Sequence, residues 1–395
     1  MSKTKSKKQQ KVYRVGIDAR FFGLENKGLG RYTNELIKWL EEIDKEIRKS
    51  NRFKKIEFYV FLRGNNFSEY IPQNKHFHKV LADFRWYSLA EQIKFPFLLN
   101  KYKLDLVHFP HFNVPLLYRK KFIVTVHDLI LFHYPTVRNT TLNKLVYWFK
   151  LLMYHLVIRF AVRQSSLVIA ISKFTKKDLV TTLNIPPQKI RVVYEGAEFN
   201  LSSGRNVSEK QGNAFLKKYG IIKPYLLYVG NAYPHKNLER LVLVFKKLVQ
   251  SGFDKQLVLV GKNDYFYQRL KKFIQNNKVK QVVITDYIDD VDLEKLYRKA
   301  EAFVFPSLYE GFGLPPLEAL IYGLPVISSN KSSLPEILGN QVRYFNPESE
   351  KEMMEAILKY SQQVKINKAD IVGLKEKYSW QKMAREIYQI YLKVL

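Results

Sequence analysis

The sequence predicts two doubly wound α/β domains facing a cleft, on three observations. Short, nearly continuous apolar runs recur along the chain, their pattern restarts after a polar stretch near residue 200, and glycines sit where strands pass into helices. Continuous apolarity, rather than alternation, marks strands covered on both faces, the condition of a parallel sheet. A chain of 395 residues is also too long for one ordinary core, so two domains are the natural division.

Residues 1–11 are polar and lysine-rich with no apolar stretch behind them; they predict a disordered basic arm and no secretory leader. The first domain is expected to span 12–200. It opens with a strand at Val12–Asp18, a glycine-containing loop at Gly23–Gly30 and a helix from about Arg31 to Arg48, where Tyr32, Leu36, Trp39, Leu40 and Ile43 fall at helical spacing. Further strands are expected at Ile56–Leu62, Leu104–Phe109, Phe122–His127, Leu167–Ser172 and Ile190–Tyr194, with Ser172 capping a lysine-rich helix. A linker is expected at 201–222, a polar segment containing Ser202-Ser-Gly-Arg-Asn206. The second domain, 223–377, restarts the construction with strands at Tyr225–Gly230, Leu257–Gly261, Val282–Asp286, Ala302–Pro306 and Pro325–Ser329. An amphipathic helix at 378–395 closes the chain, with Trp380, Ala384, Ile387 and Tyr391 on one face.

Composition narrows the partners. Lysine and arginine number 66 against 36 aspartates and glutamates, a surplus of +30 that favours anionic partners: nucleic acid, anionic lipid or phosphorylated substrates. The chain has no cysteine, which removes disulfides and thiolate metal sites. The one run approaching the length of a membrane span, Leu145–Val162, is interrupted by Lys150, His155 and Arg159 and is rejected as a span. The helix expected at 142–163 instead places Lys144, Trp148, His155, Arg159 and Arg163 on one face, which fits peripheral attachment to anionic lipid at the cytoplasmic leaflet. A core helix with a solvated outer face has the same signature.

The stretch with most chemistry runs from Phe303 to Glu318. A buried strand end, a loop permitted by Gly311 and Gly313, and Pro315 and Pro316 at a helix start together predict an anion site, with peptide N–H groups and a helix dipole aimed at a phosphate. Glu310 and Glu318 bracket it, and a carboxylate there suits sugar hydroxyls better than phosphate. Lys27-Gly-Leu-Gly30 is a second, weaker phosphate cradle, lacking the third glycine of a dinucleotide fingerprint.

Glu310-x7-Glu318, inside Ser-Leu-Tyr-Glu-Gly-Phe-Gly-Leu-Pro-Pro-Leu-Glu-Ala, resembles the signature of retaining glycosyltransferases of family 4, GT-B enzymes with two Rossmann-like domains. The resemblance extends from Gly28-Leu-Gly-Arg-Tyr32 through Val124-Thr-Val-His-Asp128 and His235-Lys-Asn237 to Ser332-Ser-Leu-Pro-Glu336. It implies transfer of a sugar from a nucleotide-diphosphate donor to a hydroxyl acceptor, with retention; the membrane reading makes that acceptor a glycan or lipid-linked one, and no metal ion or other cofactor is expected. It also implies that Glu318 binds the donor ribose, and that Glu310 with the backbone of Gly311, Phe312 and Gly313 holds the sugar. Lys236 would neutralise the diphosphate, Gly28 and Gly30 would let a loop close over the phosphates, and His127 would contact the sugar. The closing helix would cross back onto the first domain. The shade of resemblance favours GDP-mannose over a UDP-sugar. Asn231 and His235 stand where many relatives carry more basic residues, which places more of the phosphate charge on Lys236.

Asp290-Val-Asp292 is formally the D-x-D of metal-dependent sugar transfer, but it precedes a helical stretch and is expected to cap it. His108 with His111, and His76 with His78, lack the spacing of a metal site. Rival readings are a sugar-nucleotide epimerase or phosphorylase of the same fold, a catalytically silent binding module, and, from the charge alone, a nucleic-acid-binding protein. No nucleic-acid recognition motif supports the last.

Overall fold

The computed structural model describes residues 11–23, 27–49, 54–139, 143–197, 215–360 and 367–395. The basic arm at 1–10, part of the first glycine segment and most of the expected linker lie outside these residues. Two wholly parallel sheets carry the chain. The first has seven strands in the order β3-β2-β1-β4-β5-β6-β7: β1 Val12–Asp18, β2 Lys55–Leu62, β3 Phe77–Leu81, β4 Leu106–Phe109, β5 Phe122–Val126, β6 Leu167–Ala170 and β7 Ile190–Val192. The second has six in the order β10-β9-β8-β11-β12-β13: β8 Tyr225–Val229, β9 Gln256–Val260, β10 Val282–Thr285, β11 Ala302–Phe305, β12 Val326–Ser329 and β13 Arg343–Phe345.

The helices of the first domain are α1 Lys27–Arg48, α2 Leu89–Lys101, α3 Ile130–His133, α4 Lys144–Gln164 and α5 Lys173–Leu183. Those of the second are α6 Leu238–Gln250, α7 Tyr265–Asn276, α8 Asp290–Lys299, α9 Leu314–Ile321, α10 Leu334–Leu338, α11 Glu350–Leu358 and α12 Lys368–Lys377, and α13 Trp380–Val394 follows. Alternate side chains of the first sheet feed two cores. One holds Val15, Ile17, Phe58 and Ile123 against α1 and α13; the other holds Val107, Phe109, Val124 and Val168 against α2, α4 and α5. The second domain has a single core built around Leu226, Val258 and Phe303.

The final helix belongs to the first domain's packing. Trp380, Met383, Ala384, Ile387, Tyr388 and Tyr391 are buried, and Tyr391 bonds His108 on β4 at 2.7 Å. Lys54 and Lys121 donate to the carbonyls of Leu392 and Val394, cations placed where the helix dipole is negative. The chain therefore crosses between domains twice, and the crossings touch: Ala197 N donates to Tyr378 O at 3.0 Å. A Cβ on Gly196 would lie 2.3 Å from Trp380 N, so only glycine allows that approach.

Several local expectations are corrected. Gly28 and Gly30 are not in a loop: α1 begins at Lys27, so both lie in its first turn, where unpaired N–H groups are normal and glycine costs little helix. Strands β3 and β13 were not anticipated from the sequence. The cap of α8 is Asp289, whose side chain accepts from Asp292 N, while the Asp292 carboxylate pairs with Lys295 at 2.6 Å. Asp289 carries the extended backbone of a cap, whereas Asp290 is already helical.

Candidate active site

Ligands of doubly wound sheets lie beyond the carboxyl ends of the strands, where strand order reverses. In the second sheet that point falls between β8 and β11. The loop after β8 delivers Lys236, and the loop after β11 delivers Glu310; their side chains meet at 2.6 Å, Lys236 Nζ to Glu310 Oε1, with 13% and 10% of each exposed. His235, beside Lys236, contributes no charge: burial and the neighbouring ammonium push its imidazole down to about 3. Asn231 is engaged locally, its carbonyl accepting from Tyr228 OH and its side chain from Tyr233 N. Lys236 is thus the cation these two loops present at the mouth.

The carbonyls of the Glu310–Gly313 turn face inward. Ser333 Oγ donates to Glu310 O and Phe312 O, each at 3.0 Å, and Ser172 Oγ, from the other domain, donates to Gly311 O at 2.7 Å. The N–H groups of Gly311, Phe312 and Gly313 have no partner among the described residues. The turn therefore offers donors at the start of α9, whose Pro315 and Pro316 have no N–H of their own. Phe312 contributes through its backbone: its ring is buried against Tyr194 and Tyr378. Gly313 adopts φ +97°, and a Cβ on Gly311 would sit 2.0 Å from His127 O. Glycine at 311 is what lets the two domains approach.

Glu318, on the second turn of α9, is nearly buried. Arg31 of α1 reaches across the cleft to its Oε1 at 2.7 Å, and Tyr297 OH donates to Oε2 at 3.2 Å. Gly28 and Gly30 precede Arg31 at the same helix end, so the start of α1 presents its cation to the carboxylate of α9.

His127 follows β5. Its Nδ1 lies 2.9 Å from Glu195 Oε1 and its Nε2 2.9 Å from Pro110 O, both acceptors. Burial opposes the charged ring, but Glu195, the Pro110 carbonyl and Asp128 overcome it, and the His127 pKa rises. Both ring nitrogens donate, so a bond from His127 to a ligand requires giving up one of these acceptors. Asp128 next to it is driven up, chiefly by burial and further by Glu310, while Ile130 N, His127 and Lys236 oppose.

Sequence reasoning brought Lys236, Glu310, the 311–313 turn, Glu318 and His127 to one cleft, and the structure places them there. It missed Arg31 and Glu195, and it missed the latch in which Tyr309 OH bonds Asp178 and Glu336 accepts from Lys173 N and Phe174 N at 2.7 and 2.8 Å. Arg31 lies inside the quoted Gly28–Tyr32 segment and could have been noted as a cation there. The histidines set aside as metal ligands have other work. His108 is neutral, pushed to about 3 chiefly by burial, and bridges Tyr391 and Thr125; His76 and His78 share Glu57, each at 2.8 Å.

Two Rossmann-like domains joined this way form the GT-B fold, and this chain is a glycosyltransferase of that class. It belongs to glycosyltransferase family 4: the family model of that name matches residues 27–200, and the model of group 1 glycosyl transferases matches 213–370. It is 30% identical over 272 residues to the O-antigen chain mannosyltransferase RfbU of Salmonella typhimurium, covering 69% of this chain and 67% of the relative. It is 29% identical over 335 residues to O-antigen chain mannosyltransferase B of Escherichia coli, covering 79% and 81%. Among solved structures, sucrose-phosphate synthase from Thermosynechococcus elongatus superposes with TM-score 0.74 at 17% identity over 97% of this chain and 99% of that one. Anabaena HepE in complex with UDP-glucose gives 0.68 at 16% identity over 96% and 99%.

Proposed function

We propose that the protein transfers mannose, with retention and without a metal ion, from a nucleotide-diphosphate donor (GDP-mannose before a UDP-sugar) to a hydroxyl of a glycan or lipid-linked acceptor in surface polysaccharide synthesis. The observation that carries this reading is the convergence of Lys236, the N–H groups of residues 311–313, unpartnered among the described residues, and the α9 N-terminus at one switch point. That is a receptor for a diphosphate, and Glu318 lies within it for a ribose. Mannose is supported by the two mannosyltransferase relatives, and a nucleotide donor by the UDP-glucose complex of the structural neighbour.

In this reading the bond from the sugar anomeric carbon to the β-phosphate oxygen breaks, and the electron pair leaves with the nucleoside diphosphate. Lys236 and the 311–313 donors meet that charge as it forms, the moment at which fixed dipoles are most effective. The acceptor oxygen bonds the anomeric carbon from the face the diphosphate leaves, and its proton passes to the departing phosphate. An arriving diphosphate competes with Glu310 for the Lys236 ammonium and so frees Glu310 for sugar hydroxyls. His127 stands beside the reacting centre, where it would contact the sugar by giving up one of its two acceptors.

A thermal-shift panel of GDP-, UDP- and ADP-sugars tests the donor, since a ligand that binds only the folded state raises its melting temperature. GDP-mannose should give the largest rise. A larger rise with a UDP-sugar would reassign the donor, and loss of transfer in EDTA restored by manganese would overturn the metal-independent step.

A further inference from the structure

The outer faces of α2 and α4 are apolar. On α4, Leu145, Phe149, Leu152 and Leu156 recur at helical spacing with Trp148 beside them; Leu145 is 80% exposed, Phe149 63% and Trp148 53%. On α2, Leu89, Ile93 and Phe97 form a second stripe, 81%, 49% and 70% exposed. Both helices cover the same face of the first sheet. The segment 110–121 lies between them, tied to α2 by Leu116 N donating to Gln92 at 2.8 Å and to α4 by Phe112 against Tyr154, and it adds exposed Leu117. Outward apolar side chains gathered on neighbouring elements mark an interaction face rather than scattered surface residues.

This corrects the basic face expected for α4. His155 and Arg159 turn onto Phe132, and the outward line of the helix is hydrophobic, with Lys144, Lys150 and Arg163 around it. We infer that α2, α4 and the segment between them form a membrane-docking face that lies in the plane of an anionic bilayer. Charge selects this occupant. The three segments hold nine lysines and arginines and one carboxylate, Glu91, which is buried against Arg20. A second copy of the chain would set nine cations against nine; an anionic lipid surface complements them. Composition alone would let α4 span a bilayer, but Tyr147, Leu151, Tyr154 and Ile158 are fixed in the core, so the helix lies on the surface. The N-terminal ends of both helices adjoin the cleft: Glu91 on the first turn of α2 bonds Arg20 beyond β1, and Arg138, just before α4, pairs with Glu239 of the second domain. An acceptor carried on lipid would meet the donor there. The inference rests on the transferase reading for its purpose.

Vesicle sedimentation at physiological salt is the test, with phosphatidylglycerol-rich against phosphatidylcholine vesicles and no sugar nucleotide present. The protein should sediment with the anionic vesicles only, less as salt rises. Trp148→Glu with Phe149→Glu should lower binding about tenfold or more, with an unchanged melting curve, since neither side chain is in the core. Leu89→Glu with Phe97→Glu should do the same from the other helix. No sedimentation, sedimentation indifferent to both pairs, or a dimer that the substitutions dissolve without any vesicle binding would overturn the inference. Because no donor is used, such a failure is separate from a failure of the transferase reading.

Discussion

The mouths of the two sheets handle charge in opposite ways. Beyond β1, Arg20 is fully buried, and its Nε and Nη2 donate to the two oxygens of Asp18 at 2.8 Å. Nη2 also meets Glu91 Oε1 at 2.7 Å, and Glu91 is held further by Asn113 and by Tyr87 N, each at 2.6 Å. Every charge there is locked by several neighbours. Beyond β8 and β11, the Lys236–Glu310 pair is a single contact at the edge of the cleft. The Arg20 network, with several partners for each group, is scaffold, whereas the Lys236–Glu310 pair, with one contact and some exposure, can exchange that contact for a ligand.

The largest expected effects follow from the exchangeable side. Lys236→Ala should lower kcat by about a hundredfold to a thousandfold, the scale of losing one fixed stabiliser of developing charge. Glu310→Ala should abolish transfer while sparing nucleotide binding, and Glu318→Ala should mainly weaken nucleotide binding, read by titration calorimetry beside turnover. The reverse pattern would sink the division of labour between the two carboxylates. Normal turnover and donor affinity in Lys236→Ala would remove it from the phosphate site.

The scaffold side predicts a different loss. Arg20→Ala leaves Asp18 and Glu91 buried without their cation, which costs about 3–5 kcal/mol and should lower the melting temperature by roughly 10 °C. Arg20→Met, which restores apolar volume against Phe95 but no charge, should recover little. A melting curve unmoved by Arg20→Ala would show that this cluster is not holding the first domain together.

The same contrast explains what could be read in advance. Glu310 and Glu318 were legible because eight residues place them on either side of one turn-and-helix start. Arg31 as partner of Glu318 was not, because the pair is 287 residues apart in sequence and exists only through the docking of two domains. Glu195 behind His127 is hidden for the same reason, 68 residues downstream. β3 is an edge strand with only Phe77 and Val80 buried, and β13 has three residues, so neither shows the continuous apolarity of the central strands. The apolar outer face of α4 was masked by periodicity itself. Its buried and exposed stripes are both hydrophobic, and only packing tells which side is which.

His127 supplies the smallest expected effect and the one that separates site from scaffold most finely. Its pKa is raised in the folded protein because Glu195 and the Pro110 carbonyl accept from both nitrogens. A group raised in this way stabilises the fold fully below its unfolded pKa of about 6.5, and that contribution is lost as pH rises through the folded value. Over that window the slope from one proton is at most about 1.4 kcal/mol per pH unit. Asp128, also raised, has the same sign, so wild type alone would blur the two. Denaturant unfolding of wild type and His127→Gln across this range isolates the histidine. The difference between them should shrink as pH rises, and a difference constant with pH would mean that His127 is neutral and serves only to fill space between Tyr32 and Glu195.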